Sequence, residues 1–183
     1  MIRLIGGVFK NHEIKTEPLL GKDTRPSLAI VRKSLFDLLG EIEGCRCLDL
    51  FAGSGVLGME SLSRGADFAF FIDKERIAAM QIKKNLEDMN LTDRSEVHNT
   101  DYRMALKALS KRGEKFDVIF LDPPYRFTRA YDSVNHVINA GILAKEGKGV
   151  LLSSSLENID IGNAIILKDK MLTQTRITIF KGV

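Results

Sequence analysis

Gly53, Gly55 and Gly58 fall in the spacing G-x-G-x-x-G within Leu48-Asp49-Leu50-Phe51-Ala52-Gly53-Ser54-Gly55-Val56-Leu57-Gly58. The run closes an apolar strand and opens a helical segment, where a glycine-rich loop can cradle a nucleotide-like ligand. Asp73 ends the next apolar run, about 20 residues after the first glycine, where a carboxylate can accept both hydroxyls of a ribose. Asp49 precedes the loop. A carboxylate there repels the pyrophosphate of a dinucleotide and attracts a cationic amino-acid or sulfonium group, so the pattern points to S-adenosylmethionine rather than NAD. Asp101, followed by Tyr102, comes after the third strand; it either accepts from an adenine amino group or serves only as the N-cap of the next helix.

A second constellation, Asp122-Pro123-Pro124-Tyr125, follows the apolar run Phe116 to Leu121. The two prolines stiffen the backbone and remove two donors, so the Asp122 carboxylate and a neighbouring carbonyl project as rigid acceptors. An aromatic exocyclic amine is a weak nucleophile because its lone pair is delocalised into the ring. Acceptors on its N–H bonds localise that pair and aim it at a methyl carbon, while Tyr125 stacks on the base.

These residues need a framework that brings strand ends together. Continuous apolar runs alternate with helical segments: strands are expected at Cys45 to Phe51, Phe68 to Ile72, Ser95 to Asn99, Phe116 to Leu121, Gly149 to Ser154, Ala164 to Leu167 and Thr175 to Phe180. Helices are expected at Val56 to Arg64, Lys74 to Met89, Tyr102 to Arg112 and Ala130 to Ala140. That alternation predicts an α/β fold with a mostly parallel sheet covered on both faces, closed by an antiparallel pair. Residues 1–40 are read as an appendage, with a hairpin (Ile2 to Phe9, His12 to Thr16), an extended Thr24-Arg25-Pro26 and a helix over Leu28 to Ile42 capped by Ser27; residues 41–183 form the main domain.

Composition narrows the classes. With 183 residues, 44% apolar and 28% charged, the chain suits one globular domain with a real core. No apolar run reaches the roughly 18 to 20 residues of a membrane span, and the expectation is a cytoplasmic protein without a membrane partner. Cys45 and Cys47 read as buried thiols, and His12, His98 and His136 are too scattered for a metal site. The net charge of +3 sits entirely in residues 1–40. That asymmetry fits either a polyanion partner or a solvated surface of mixed charge.

Together, Arg3-Leu4-Ile5-Gly6-Gly7, Thr24-Arg25-Pro26, Val31-Arg32-Lys33-Ser34-Leu35-Phe36, the glycine loop and Asp122 to Tyr125 resemble the RsmD-type 16S rRNA guanine-N2 methyltransferases of bacteria. The resemblance implies a Rossmann-like methyltransferase with a seven-stranded sheet whose last strand is antiparallel, and an N-terminal hairpin extension that docks RNA. It implies S-adenosyl-L-methionine as donor, held by Asp49, Phe51, Ala52, Gly53, Gly55, Asp73, Lys74, Asp101 and Tyr102, with Thr24 and Arg25 over the site. It places catalysis on Asp122, Pro123, Pro124 and Tyr125, with no metal. The implied substrate is 16S rRNA within a 30S particle or assembly intermediate, methylated at a guanine of the 966 type by a monomeric enzyme. Phosphate contacts are expected from Arg3, Lys10, Lys15, Arg25, Arg32 and Lys33, with Arg126 and Arg129 at the pocket mouth. Three alternatives remain open on the residues alone: a DNA adenine-N6 or cytosine-N4 methyltransferase, another RNA amino-methyltransferase, and a noncatalytic RNA-binding module on the same fold.

Overall fold

The apolar runs become strands buried between two helical layers. In the computed structural model, which describes residues 1–16, 26–123, 130–157 and 160–183, the elements are β1 (Ile2–Arg3), β2 (Glu13–Ile14), α1 (Pro26–Leu39), β3 (Arg46–Asp49), α2 (Val56–Ser63), β4 (Phe68–Asp73), α3 (Arg76–Asp88), β5 (Ser95–Asn99), α4 (Tyr102–Lys111), β6 (Phe116–Leu121), α5 (Ala130–Ala140), β7 (Leu143–Ser154), β8 (Ile165–Leu172) and β9 (Thr175–Lys181). The seven-stranded sheet runs β5-β4-β3-β6-β7-β9-β8, with β1 and β2 forming a separate pair. Neighbours from β5 to β7 are parallel, and β9 lies antiparallel between β7 and β8. This is the expected sheet, with the antiparallel strand one place in from the edge.

The chain winds outward from β3 to β5 and then crosses back to β6, so the order reverses between β3 and β6. A crevice opens at the C-terminal ends of strands at such a reversal. Asp49 ends β3 there, paired in register with Phe71 of β4 and Phe120 of β6, and Asp122 follows the last residue of β6.

One face of the sheet is packed by α1, α2, α3 and the hairpin, through Leu4, Ile14, Leu35, Met59 and Ile82; α4 and α5 cover the other through Leu106, Leu109, Val134 and Val137. Leu4 and Ile14 share their core with β3 and β6, so the hairpin packs into the core of the main sheet. The hairpin strands are only two residues long, shorter than expected. Beyond them Leu4 N–H donates to His12 O (3.0 Å), but Val8 N–H turns to Ser63 O (2.7 Å) and Phe9 N–H to Ser63 Oγ (2.9 Å). The chain therefore leaves its partner strand for the C-terminal end of α2. α1 begins at Pro26, which places Ser27 inside the first turn instead of before it; proline suits that first position because its missing N–H has no helical partner there. β7 starts six residues before the expected Gly149, across an irregular register between Phe116 and Val118. Among the described residues no helix is long and apolar enough to cross a membrane.

Candidate active site

The loop after β3 is stitched to both neighbouring strands. Leu50 N–H donates to Phe120 O (3.1 Å), Ala52 N–H to Ile72 O (2.9 Å) and Gly55 N–H to Ala52 O (2.6 Å). Gly53 and Gly55 adopt φ of 52° and 76°, a left-handed geometry that side chains with a Cβ disfavour. The turn presents the Gly53 N–H to Asp73 Oδ2 at 2.7 Å. Asp73 Oδ1 accepts from Glu75 N–H (2.8 Å), while Asn99 Nδ2 holds the Asp73 and Lys74 carbonyls (3.0 and 2.8 Å). Asp73 thus braces the glycine loop. Each carboxylate oxygen retains a second lone pair for a ligand hydroxyl.

A cavity of about 490 Å³ lies over this loop, within the usual range for small-molecule sites. Asp49, Phe51, Ala52, Gly53, Asp73, Lys74, Asp101, Tyr102 and Asp122 all line it. Gly55 lies below the loop, close to Ile82 and Met59, where it shapes the turn rather than the cavity wall. Leu50, Ser54, Val56, Leu57, Glu75 and Thr100 also line the cavity. These were not singled out from sequence, and each adjoins a residue that was. Phe51 and Tyr102 form an aromatic wall with centroids 4.9 Å apart. Tyr102 Oη lies 3.1 Å from His136 Nδ1 and accepts from Arg103 Nε at 3.1 Å. Asp101 lines the cavity and also caps α4, its Oδ1 accepting from Arg103 N–H at 2.9 Å, so the N-cap role is met while the carboxylate stays at the rim.

Asp49 sets the electrostatics. Its side chain is sealed from solvent; Oδ2 accepts from Gly58 N–H at 3.1 Å, and buried Oδ1 has no hydrogen-bond partner. Burial pushes its carboxyl up to about 7 against the pull of the Gly58 N–H, and the neighbouring Asp122 and Asp73 charges push the same way. Asp122 is likewise raised, to about 6, by burial within the surrounding protein. Its side chain nevertheless opens to solvent, so water in the open crevice screens that shift. The sealed Asp49 is where the burial penalty has full weight. An orphaned acceptor, two nearby carboxylates and an aromatic wall suit a ligand that joins a cation to hydroxyl-bearing and flat apolar parts. The donor set therefore fits S-adenosylmethionine. Among the described residues no group of three or more His, Cys, Asp or Glu side chains is arranged to hold a metal ion.

The basic residues expected at phosphates have varied surroundings. Arg3 pairs with Glu13, Lys15 with Asp88 and Lys33 with Asp37, at 2.6, 2.9 and 2.8 Å. Arg32 is buried, its guanidinium donating to the Arg3 carbonyl at 2.8 Å, and so faces the interior rather than a phosphate. Burial lowers its pKa, and the charge of Glu60 partly offsets that. Lys10 is exposed. Thr24, Arg25, Pro124, Tyr125, Arg126 and Arg129 lie outside the described residues, and Pro123 is buried beside Asp122.

Comparison with known proteins agrees with this geometry. The family profile described as "Conserved hypothetical protein 95" matches residues 2–181. Ribosomal RNA small subunit methyltransferase D of Escherichia coli is 34% identical over 158 residues, spanning 86% of this chain and 76% of that protein. The protein of the same name from Haemophilus influenzae is 36% identical over 137 residues, 73% of this chain and 69% of its own. A solved structure of a hypothetical protein from Thermus thermophilus superposes with a TM-score of 0.82 at 26% identity, covering 98% of each chain.

Proposed function

Because the chain belongs to the family of ribosomal RNA small subunit methyltransferase D, we propose that it methylates small-subunit ribosomal RNA, at the exocyclic N2 of a guanine of the 966 type in 16S rRNA, with S-adenosylmethionine as donor. When bound, the donor supplies a methyl group on a sulfonium. The observation that carries this reading is the convergence of Asp49, the Gly53 loop, Asp73 and Asp122 on one cavity at the sheet's reversal point.

With the donor bound, Asp49 Oδ1 would meet its positive charge, Asp73, which braces Gly53, would take its ribose hydroxyls, and Asp101 would face the adenine beside the Phe51–Tyr102 wall. Asp122 accepts an N–H of the target amine. Its carboxyl, raised only to about 6, is ionised at pH 7.5, so it can localise the nitrogen lone pair and receive the amine proton as the N–C bond forms and the sulfur–methyl bond breaks, the electron pair staying on the departing neutral thioether. Tyr125, the last residue of the tetrapeptide, takes the stacking role. The base must leave its stack to reach this depth, which costs least in a loop of structured RNA.

The test pairs calorimetric titration of S-adenosylmethionine with labelled-methyl transfer to 30S particles that lack the modification. Transfer to one guanine N2 is expected from the wild-type chain, and Asp122→Ala should abolish turnover while keeping donor affinity. Loss of donor binding to the same extent would remove Asp122 from its role. Transfer to another nucleotide would remove the guanine assignment.

A further inference from the structure

The ion pairs of the N-terminal segment change where a polyanion can be held. Arg3, Lys15 and Lys33 already sit on carboxylates, and Arg32 is buried. A cation in such a pair keeps a carboxylate beside it, so it presents less net positive charge to a phosphate than an unpaired one.

α4 is the opposite case. It carries Arg103, Lys107 and Lys111, and among the described helices it alone has cations without an acid. All three side chains are exposed, and none is in an ion pair among the described residues. Four-residue steps advance about 6 Å along a helix and turn about 40°, so the three cations form one stripe. The buried face of α4, formed by Tyr102, Ala105, Leu106 and Leu109, fixes that stripe outward. Its upper end adjoins the cavity: Tyr102 is in the cavity wall and Arg103 bonds to its hydroxyl. Its lower end stops at Arg112, which pairs with Glu96 and Glu114. Met104, 68% exposed, adds an apolar surface along one side of the stripe.

We infer that the outer face of α4 is the phosphate-docking surface for the RNA strand whose target base enters the cavity, so that the RNA crosses the α4–α5 side of the sheet rather than the hairpin side. The inference rests on the RNA reading above. Charge complementarity supplies the attraction, and continuity with the cavity favours a nucleic acid strand over an acidic peptide, because one molecule must reach both the stripe and the base site.

The experiment measures binding of 16S rRNA at a series of salt concentrations for the wild-type chain, for Lys107→Ala/Lys111→Ala and for Arg3→Ala/Lys15→Ala. Neither pair touches the cavity, and unchanged donor affinity and melting temperature establish that each variant is intact. Losing two phosphate contacts should reduce the slope of log K against log salt by about 1.4 to 1.8 in the α4 variant, with affinity at low salt falling about tenfold or more. The N-terminal pair should change the slope far less. An unchanged slope in the α4 variant, with wild-type methylation intact, overturns this surface and leaves the proposed activity standing; so does an N-terminal pair that flattens the slope as much. A wild-type chain that neither binds nor methylates RNA overturns the activity and this surface with it.

Discussion

Asp49→Asn separates stability from ligand binding at the centre of the site. In the wild-type chain this carboxyl is sealed, has an orphaned oxygen and is raised to about 7, whereas in the unfolded chain it titrates near 4. Below about pH 4 both states hold the proton. Between about 4 and 7 the unfolded chain ionises first, so folding takes up a proton and stability falls as pH rises; above about 7 both are ionised and the loss is complete. From pH 5 to pH 8 this single group should cost the wild-type protein about 2–3 kcal/mol of stability that the Asn variant does not lose. The buried amide of Asn has its own penalty of about 1–3 kcal/mol, but that penalty is independent of pH and cancels in the difference between the two pH values. Asp122 is present in both proteins, and burial is the cause of its own raised value. Urea denaturation of both proteins at pH 5, 6, 7 and 8 reads the effect directly. Parallel stability curves would refute the buried carboxyl with a raised pKa. The same proton links to the ligand: a cation in the cavity favours the ionised form, so S-adenosylmethionine should bind the wild-type chain more tightly as pH rises through 7 and bind Asp49→Asn weakly with little pH dependence.

Gly58→Ala places a methyl group into the Phe71 ring and should lower stability by about 1–3 kcal/mol; a melting temperature equal to wild type would show that the ring gives way freely. Glu60→Gln removes the buried charge that accepts from Ile5 N–H at 2.9 Å and Arg64 Nε at 3.0 Å. It should cost about 3–5 kcal/mol and speed amide exchange at Ile5, and slow exchange at Ile5 in the variant would count against this anchor. Asp73→Asn keeps the shape but weakens a charge-assisted bond to Gly53. Donor affinity measured by calorimetry should fall about tenfold to a hundredfold, and an unchanged value would relieve Asp73 of any part in donor binding.

Where local pattern and tertiary demand agree, the chain is readable from its residues. β5 and β6 fall on the bounds expected for them, and the glycine loop lines the expected cavity because a strand–turn–helix transition is itself local. The gaps arise from distant partners. Lys15 meets Asp88 73 residues away, and nothing in the run around Lys15 marks it as spoken for. Arg32 looks like a surface cation until the Arg3 carbonyl, 29 residues away, is seen to accept from its buried guanidinium. β8 carries Lys168, Asp169 and Lys170 in its middle and is exposed along nearly its whole length, so neither alternation nor apolar continuity reveals its full extent; pairing with β9 defines it. The α4 cations were visible as letters, but their meaning depends on which other cations are already paired.

The grip of α2 and α3 on the hairpin also bears on how the chain is made. Ile5 waits for Glu60, 55 residues on, and Lys15 for Asn85, 70 residues on. At about 5–20 residues per second of synthesis, the hairpin stays without its anchors for about 4 to 14 s. A two-residue strand pair cannot hold itself together in that interval, so the hairpin is made before its anchors and fixed only after them. Its apolar residues Leu4 and Ile14 are then open to chaperones until α3 is complete.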